Sequence, residues 1–209
     1  MSDERRAEGE APKTRRGQAS RERLIEAAVQ SVVDHGIHRM RVDEVLASSG
    51  SSKSQLYHYF SDRDALVEAA VAHRCTEFLG QLGPAFASVS TLPDLTALLR
   101  QFAADYAQKL AGCPIGTLAG ELTSGPDRAR RTVVDAFATW EGYLEGALGR
   151  IQAAGDLGVD ADPGRLALGL LAALEGGMFL SQVRSDPAPL EVALSTALDH
   201  LASLRTRLD

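Results

Sequence analysis

An all-α fold of about nine helices is what this 209-residue sequence predicts, on three observations. Apolar residues recur at three- and four-residue spacing in almost every segment, the period of a helix with one buried face. No segment alternates apolar with polar residues as a half-buried strand does. Prolines stand near segment starts (Pro93, Pro126, Pro163, Pro187), where a missing N–H costs nothing, and glycines stand near segment ends.

Taken in order, residues 1–17 are polar and read as a flexible tail. Ile25, Val29, Val32 and Val33 mark a helix over 20–35 that stops at Gly36. A short helix over 42–48, a turn at Gly50 and a second short helix over 52–59 follow. A long helix starts near Asp62 with Ser61 as its cap, carries Leu66, Ala69, Ala70 and Phe78, and is expected to kink or end at Gly83-Pro84. Pro93 opens a helix with Leu95, Leu98, Leu99, Phe102, Tyr106 and Leu110 on one side. A short helix spans 115–123. Pro126 opens a long one carrying Val133, Phe137, Trp140, Leu144 and Ile151. Asp162-Pro163 and Asp186-Pro187 each pair a capping residue with a first-turn proline and begin two final helices of about 20 residues. This gives a tail (1–17), a first domain (18–62) and a larger helical domain (63–209).

Composition narrows the function classes. No apolar run approaches the ~20 residues of a membrane-spanning helix. Met1 to Thr14 is charged and does not read as a secretory signal. Two distant cysteines, Cys75 and Cys113, fit a reducing cytoplasm better than a disulfide scaffold. Net charge is -6, yet residues 13–63 hold nine basic against six acidic side chains, while 65–209 hold 11 against 17. A mildly basic head on an acidic body is compatible with a nucleic-acid partner. No nucleophile elbow, phosphate loop or zinc spacing occurs, so no enzyme, cofactor or metal is expected.

The most informative stretch is Val42 to Phe60: a short helix, a glycine turn, a second short helix, the order of a helix-turn-helix. Ser52 and Gln55 have the spacing of a capping box, in which each residue's side chain binds the other's backbone N–H. Leu56 and Phe60, four apart, anchor the second helix to a core. Lys53, Ser54, Gln55, His58 and Tyr59 then face outward, and such groups reach phosphate oxygens and base edges in a major groove.

The run Ser52-Lys53-Ser54-Gln55-Leu56-Tyr57-His58-Tyr59-Phe60, followed by Arg63-Asp64-Ala65-Leu66, resembles the DNA-binding segment of the TetR family. The likeness extends over Ser20 to Val71. It implies that Lys53 and Arg63 hold phosphates, that Tyr57 and Tyr59 touch the DNA backbone, and that Ser54, Gln55 and His58 meet base edges, with Ser52 at the helix start. Two departures stand out. Met40 and Arg41 occupy positions where the family often has threonines, so Arg41 would supply a charged contact instead. Ser54 replaces a common glycine.

The resemblance further implies a cytoplasmic repressor that binds double-stranded palindromic DNA as a homodimer and is released by a small apolar or aromatic effector. Phe102, Tyr106, Trp140, Tyr143, Met178 and Phe179 are the bulky effector-site candidates. Glu175, on one helical face with Leu171 and Phe179, either meets the effector or pairs with an arginine. Cys113 at a helix start is either a thiol sensor or a small buried hydrophobe. Gly112 to Gly116 is similar to a segment of TetR-like drug-export repressors, including a lincomycin-resistance branch. The homodimer is expected through the last two helices, striped by Leu166, Leu170, Leu174 and Met178 and by Leu190, Leu194, Leu198, Leu201 and Leu204, forming a four-helix bundle. The alternatives are a helical interaction protein and a redox regulator acting through Cys113.

Overall fold

Thr14 accepts a hydrogen bond from the Gly17 N–H and starts the first helix, α1, at Arg15 rather than at Ser20. The computed structural model describes residues 14–110, 112–122 and 126–205. Of the expected tail, residues 1–13 lie outside the described residues, and Arg15 to Gly17 are helical.

Nine helices occur among the described residues: α1 (Arg15–His35), α2 (Val42–Ser49), α3 (Lys53–Tyr59), α4 (Arg63–Ala87), α5 (Leu92–Lys109), α6 (Pro114–Glu121), α7 (Asp127–Ala153), α8 (Pro163–Arg184) and α9 (Ala188–Ser203). A 3₁₀ turn, Ile37–Arg39, joins α1 to α2. Several ends differ from expectation for local reasons. Asp62, not Ser61, caps α4, because its Oδ1 accepts from the Ala65 N–H at 2.8 Å while Ser61 donates to the other carboxylate oxygen. Pro84 does not end α4, which runs on to Ala87. Leu110 lies past the end of α5, in the left-handed region at φ 46°. Asp186 accepts from the Ala188 N–H at 3.0 Å, but Pro187 rather than Asp186 stands at the N-cap of α9, which spans only 16 residues.

The chain divides into two units: Met1–Glu77 with Leu118–Val134, and Phe78–Thr117 with Asp135–Asp209. The boundary expected at residue 62 is therefore displaced, since the first unit takes in the start of α4 and a distant segment. In the first unit Leu24, Ile25, Ala28 and Val32 of α1 pack with Ile37, Met40, Val45, Leu56, Phe60, Leu66 and Val67 in its core. Val33 is 58% exposed and belongs to the outer face of α1.

In the second unit Trp140, Leu144, Leu148 and Ile151 of α7 are fully buried with Leu95 and Leu99 of α5. α8 and α9 pack on each other. A Cβ on Gly177 would lie 2.8 Å from the Leu190 Cα, so only glycine admits this crossing. Ser181, fully buried, accepts from the Leu190 N–H at 3.1 Å and fastens the connection. Leu170, Leu174, Met178, Leu190, Leu194, Leu198 and Leu201 are buried within this one chain. The leucine stripes assigned to a dimer contact are thus mostly buried within the chain itself, where α9 meets both α8 and α5. By length and composition α8 is apolar enough to cross a membrane (22 residues, mean hydropathy 1.6), contrary to the sequence expectation. That apolarity has a local reason: one side of the helix faces α9, and another carries Leu168, Phe179, Leu180 and Val183, all exposed.

Candidate nucleic-acid interface

α2 ends at Gly50, whose φ of 63° is the left-handed conformation that ends a helix at little cost to glycine. Two residues later Ser52 opens α3. Its Oγ accepts from the Gln55 N–H at 3.2 Å, and Gln55 Oε1 accepts from the Ser52 N–H at 2.8 Å. The capping box is therefore formed. It also engages Gln55 Oε1 in one hydrogen bond, leaving the amide NH₂ of Gln55 free to donate to a base edge.

Leu56 is fully buried and Phe60 nearly so, the latter beneath Arg21, whose guanidinium carbon lies 5.3 Å from the ring centroid. These anchors leave Lys53, Ser54, Tyr57 and His58 exposed along α3, with Tyr59 half-buried. The His58 and Tyr59 rings meet edge to face at 4.9 Å, which steadies both at the end of the helix. Arg41 immediately precedes α2, and its side chain is 72% exposed with Glu44 3.8 Å away. A pair that open is weak and leaves the guanidinium available to phosphate.

Arg63 does not have that freedom. Its guanidinium donates to the carbonyls of Met40 (3.2 Å) and Ile37 and pairs with Asp64 at 3.3 Å. At the position where a phosphate contact is expected, the Arg63 guanidinium holds the 3₁₀ turn. The same turn is held by Glu121, which accepts from the Ile37 N–H. Sequence reasoning missed Glu121, because 84 residues separate the partners and no local pattern links them.

In the second unit the effector candidates split. Phe102 and Phe78 flank Trp140 at centroid distances of 6.3 and 5.1 Å, and among the described residues the buried Trp140 Nε1 has no hydrogen-bond partner. Tyr106 donates to the Met178 carbonyl at 2.7 Å, and burial raises its pKa. Tyr143 packs beside Gly83. Phe179 is 64% exposed and does not join them.

Glu175 has no arginine partner among the described residues. Its Oε1 is buried without a hydrogen bond, and its carboxylate lies against Gly116, where a Cβ would be 2.4 Å from Oε2. Burial raises its pKa, only partly opposed by a hydrogen bond from the Cys113 thiol. Cys113 is buried, and burial together with Glu175 pushes its thiol far up, opposite to the activation expected at a helix start. Burial raises Cys75 to about 11. Both thiols are buried with raised pKa values, which disfavours the thiolate that a redox regulator acting through Cys113 would use.

Comparison with known proteins agrees with both halves of this arrangement. Residues 24–70 match the family model described as bacterial regulatory proteins, tetR family. Residues 91–197 match the model of a tetracyclin repressor-like C-terminal domain. The transcriptional regulator AcuR of Cereibacter sphaeroides is 29% identical over 80% of this chain and 78% of its own. The regulator LmrA of Bacillus subtilis is 22% identical over 82% of this chain and 90% of its own. Among solved structures, a regulatory protein TetR from Rhodobacter sphaeroides superposes with a TM-score of 0.72 at 27% identity, covering 87% of this chain and 98% of that one. A regulator from Chloroflexus aurantiacus reaches 0.78 at 23% identity, covering 92% and 98%, a likeness of fold.

Proposed function

The chain belongs to the TetR family of transcriptional regulators, and from that premise we propose that it is a cytoplasmic repressor that grips a palindromic operator as a homodimer and lets go when a small molecule binds its second unit. The observation that carries this reading is α3: a helix fixed at its start by a closed capping box and anchored by Leu56 and Phe60, with Lys53, Ser54, Tyr57 and His58 on its open face. A helix so held presents its polar side chains to a major groove without unfolding its own start.

Lys53 and Arg41 supply the charge that phosphates require. Tyr57, half exposed, and Tyr59 press on the sugar-phosphate backbone. Ser54, His58 and the amide of Gln55 read base edges. Two such heads on a two-fold dimer lie about one DNA turn, ~34–36 Å, apart or spread over a longer palindrome.

The effector is an apolar or aromatic small molecule received near Phe102, Tyr106, Trp140, Tyr143, Met178 and Glu175. Two unpartnered buried polar atoms, Trp140 Nε1 and Glu175 Oε1, support this assignment, because each gains from a hydrogen-bonding ligand. A coupling of ~1–3 kcal/mol lowers operator affinity about 5- to 150-fold.

The test selects duplexes from a random pool and titrates the selected one by gel shift. With ~8 phosphate contacts in the dimer, log affinity falls against log salt with a slope of about -7. Lys53→Ala weakens binding and flattens that slope by about one unit per subunit, whereas Tyr57→Ala weakens it with a smaller effect on slope. If both variants bind like the wild type, α3 is not the DNA face.

A further inference from the structure

We propose that Glu121 is a positioning residue for DNA binding: its carboxylate, at the end of α6, locks the 3₁₀ turn that sets where Arg41 and α2 begin. The inference rests on the DNA-binding reading above and names a residue that touches no DNA.

The geometry is all within the first unit. Gly36 ends α1 at φ 84°, a conformation favouring glycine, and a Cβ there would also lie 2.7 Å from Glu121 Oε2. The chain is thus bare where the carboxylate approaches. Glu121 Oε2 accepts from the Ile37 N–H, and His38 Nε2 lies 3.1 Å from the Glu121 carbonyl oxygen, so α6 meets the turn through both side chain and backbone. On its other side the Ile37 carbonyl accepts from Arg63 Nη2, and the Met40 carbonyl from Arg63 Nε. The backbone of Ile37 is therefore gripped at its donor by an acid and at its acceptor by a base.

Ile37 and Met40 are almost fully buried, so the turn is fixed to the core at both ends, and Arg41 is the next residue. Arg41 is the N-cap of α2 yet offers it no side-chain hydrogen bond. The entry to α2 thus lacks a local fastening of the kind Ser52 gives α3, and Glu121 and Arg63 fix it from a distance. A carboxylate accepting from a backbone N–H is among the stronger hydrogen bonds a protein makes, and it is directional enough to hold a three-residue turn in register. Without it Arg41 and the helix pair behind it sample several positions, and binding must first restore the one that matches the phosphate spacing before the same contacts form.

The test uses the full chain and the duplex that the wild-type protein selects from a random pool. Glu121→Ala is expected to lose about tenfold in affinity, equivalent to ~1.4 kcal/mol, with an unchanged salt slope because no phosphate contact is removed. Glu121→Gln keeps an acceptor oxygen at the same reach and is expected to bind within about threefold of wild type. Amide hydrogen exchange reads the cause: the Ile37 N–H exchanges at least about tenfold faster in Glu121→Ala and stays protected in Glu121→Gln, while Leu56 and Phe60 are unchanged in both. Should Glu121→Ala fail to fold, Glu121→Asp, one methylene shorter with the charge kept, takes its place and is expected to bind weakly, unlike Gln. Wild-type affinity in the shortened variant, equal weakness in Gln, or a flattened salt slope overturns the proposal. A wild-type protein that selects no duplex overturns the DNA-binding reading, and this inference with it; a normal wild type weakened by Lys53→Ala but not by Glu121→Ala overturns this inference alone.

Discussion

Arg63 stands where the family resemblance puts a phosphate contact, yet three groups of its own chain already hold its guanidinium. Two of those bonds go from a charged donor to backbone carbonyls, worth ~1.5–3 kcal/mol each before solvent screening of a side chain 36% exposed. Arg63→Ala is therefore expected to lower the unfolding free energy by about 2 kcal/mol and to leave the salt slope of DNA binding unchanged; chemical denaturation and salt titration check the two halves. Stable protein with a flatter slope would return Arg63 to the phosphates. Glu175 supplies the opposite case, a charge with too little support. Its pKa is raised by burial, so the charged carboxylate carries a cost that the protonated form does not: the protein is relatively more stable below the ordinary carboxylate range and loses that gain as pH rises. Glu175→Gln is expected to raise the denaturation midpoint at pH 7, with the difference from wild type shrinking as pH falls toward about 4. A lower midpoint at pH 7 would mean that the carboxylate is satisfied after all. Sequence could single out both residues as charged groups in telling places. It could not assign their partners, because those come from the carbonyls of residues 37 and 40 in one case and from the Cys113 thiol in the other.

Elements were legible where their signals are local. The capping box of α3 depends on two residues three apart, and Ser52 and Gln55 display it in the sequence as plainly as in the structure. The cap of α4 was misplaced by one residue because Ser61 and Asp62 are both good caps and only the Asp62 contact with the Ala65 N–H decides between them. The continuation of α4 past Pro84 reflects context over propensity: Phe86 is buried, and Arg150 donates to its carbonyl and to that of Val89, holding the last turn in place. The same capping logic gives a prediction that separates fold from function at α3. Ser52→Ala removes the Gln55 N–H acceptor and is expected to cost about 1 kcal/mol of stability and to weaken operator binding. Ser52→Asp retains a capping oxygen and stability, but sets a negative charge beside DNA phosphates, so it is expected to weaken binding alone. Thermal melts beside gel shifts read both; Ser52→Asp that binds as tightly as wild type would remove the start of α3 from the DNA face.

At the scale of the whole molecule, α8 shows why periodicity located two long helices but not the surface through which copies meet. Leucines and other apolar residues occur on nearly all its sides, so a stripe drawn through Leu166, Leu170, Leu174 and Met178 is as good on paper as one through Leu168, Phe179 and Val183. The structure separates them. Most of the first stripe is buried against the same chain, whereas Leu168 (55%), Phe179 (64%) and Val183 (67%) are exposed, with Val192 (63%) on α9. Exposed apolar side chains recurring along one helix are costly in a monomer and are the ordinary material of an obligate interface. A homodimer in this family is therefore expected to close over this outer face of α8 and α9, which keeps the expected pair of helices and exchanges the expected side. Phe179→Glu with Val183→Glu tests it, because neither residue supports the α8–α9 seam and a charge on each face repels its symmetry mate. Sedimentation equilibrium at micromolar concentration is expected to show a dimer for wild type and a folded monomer for the double variant, with unchanged helical circular dichroism. Because one head then holds the operator instead of two, the salt slope should fall to about half its wild-type value. A double variant that sediments as a dimer would place the interface elsewhere, and a monomeric wild type would remove the two-fold symmetry on which a palindromic operator depends.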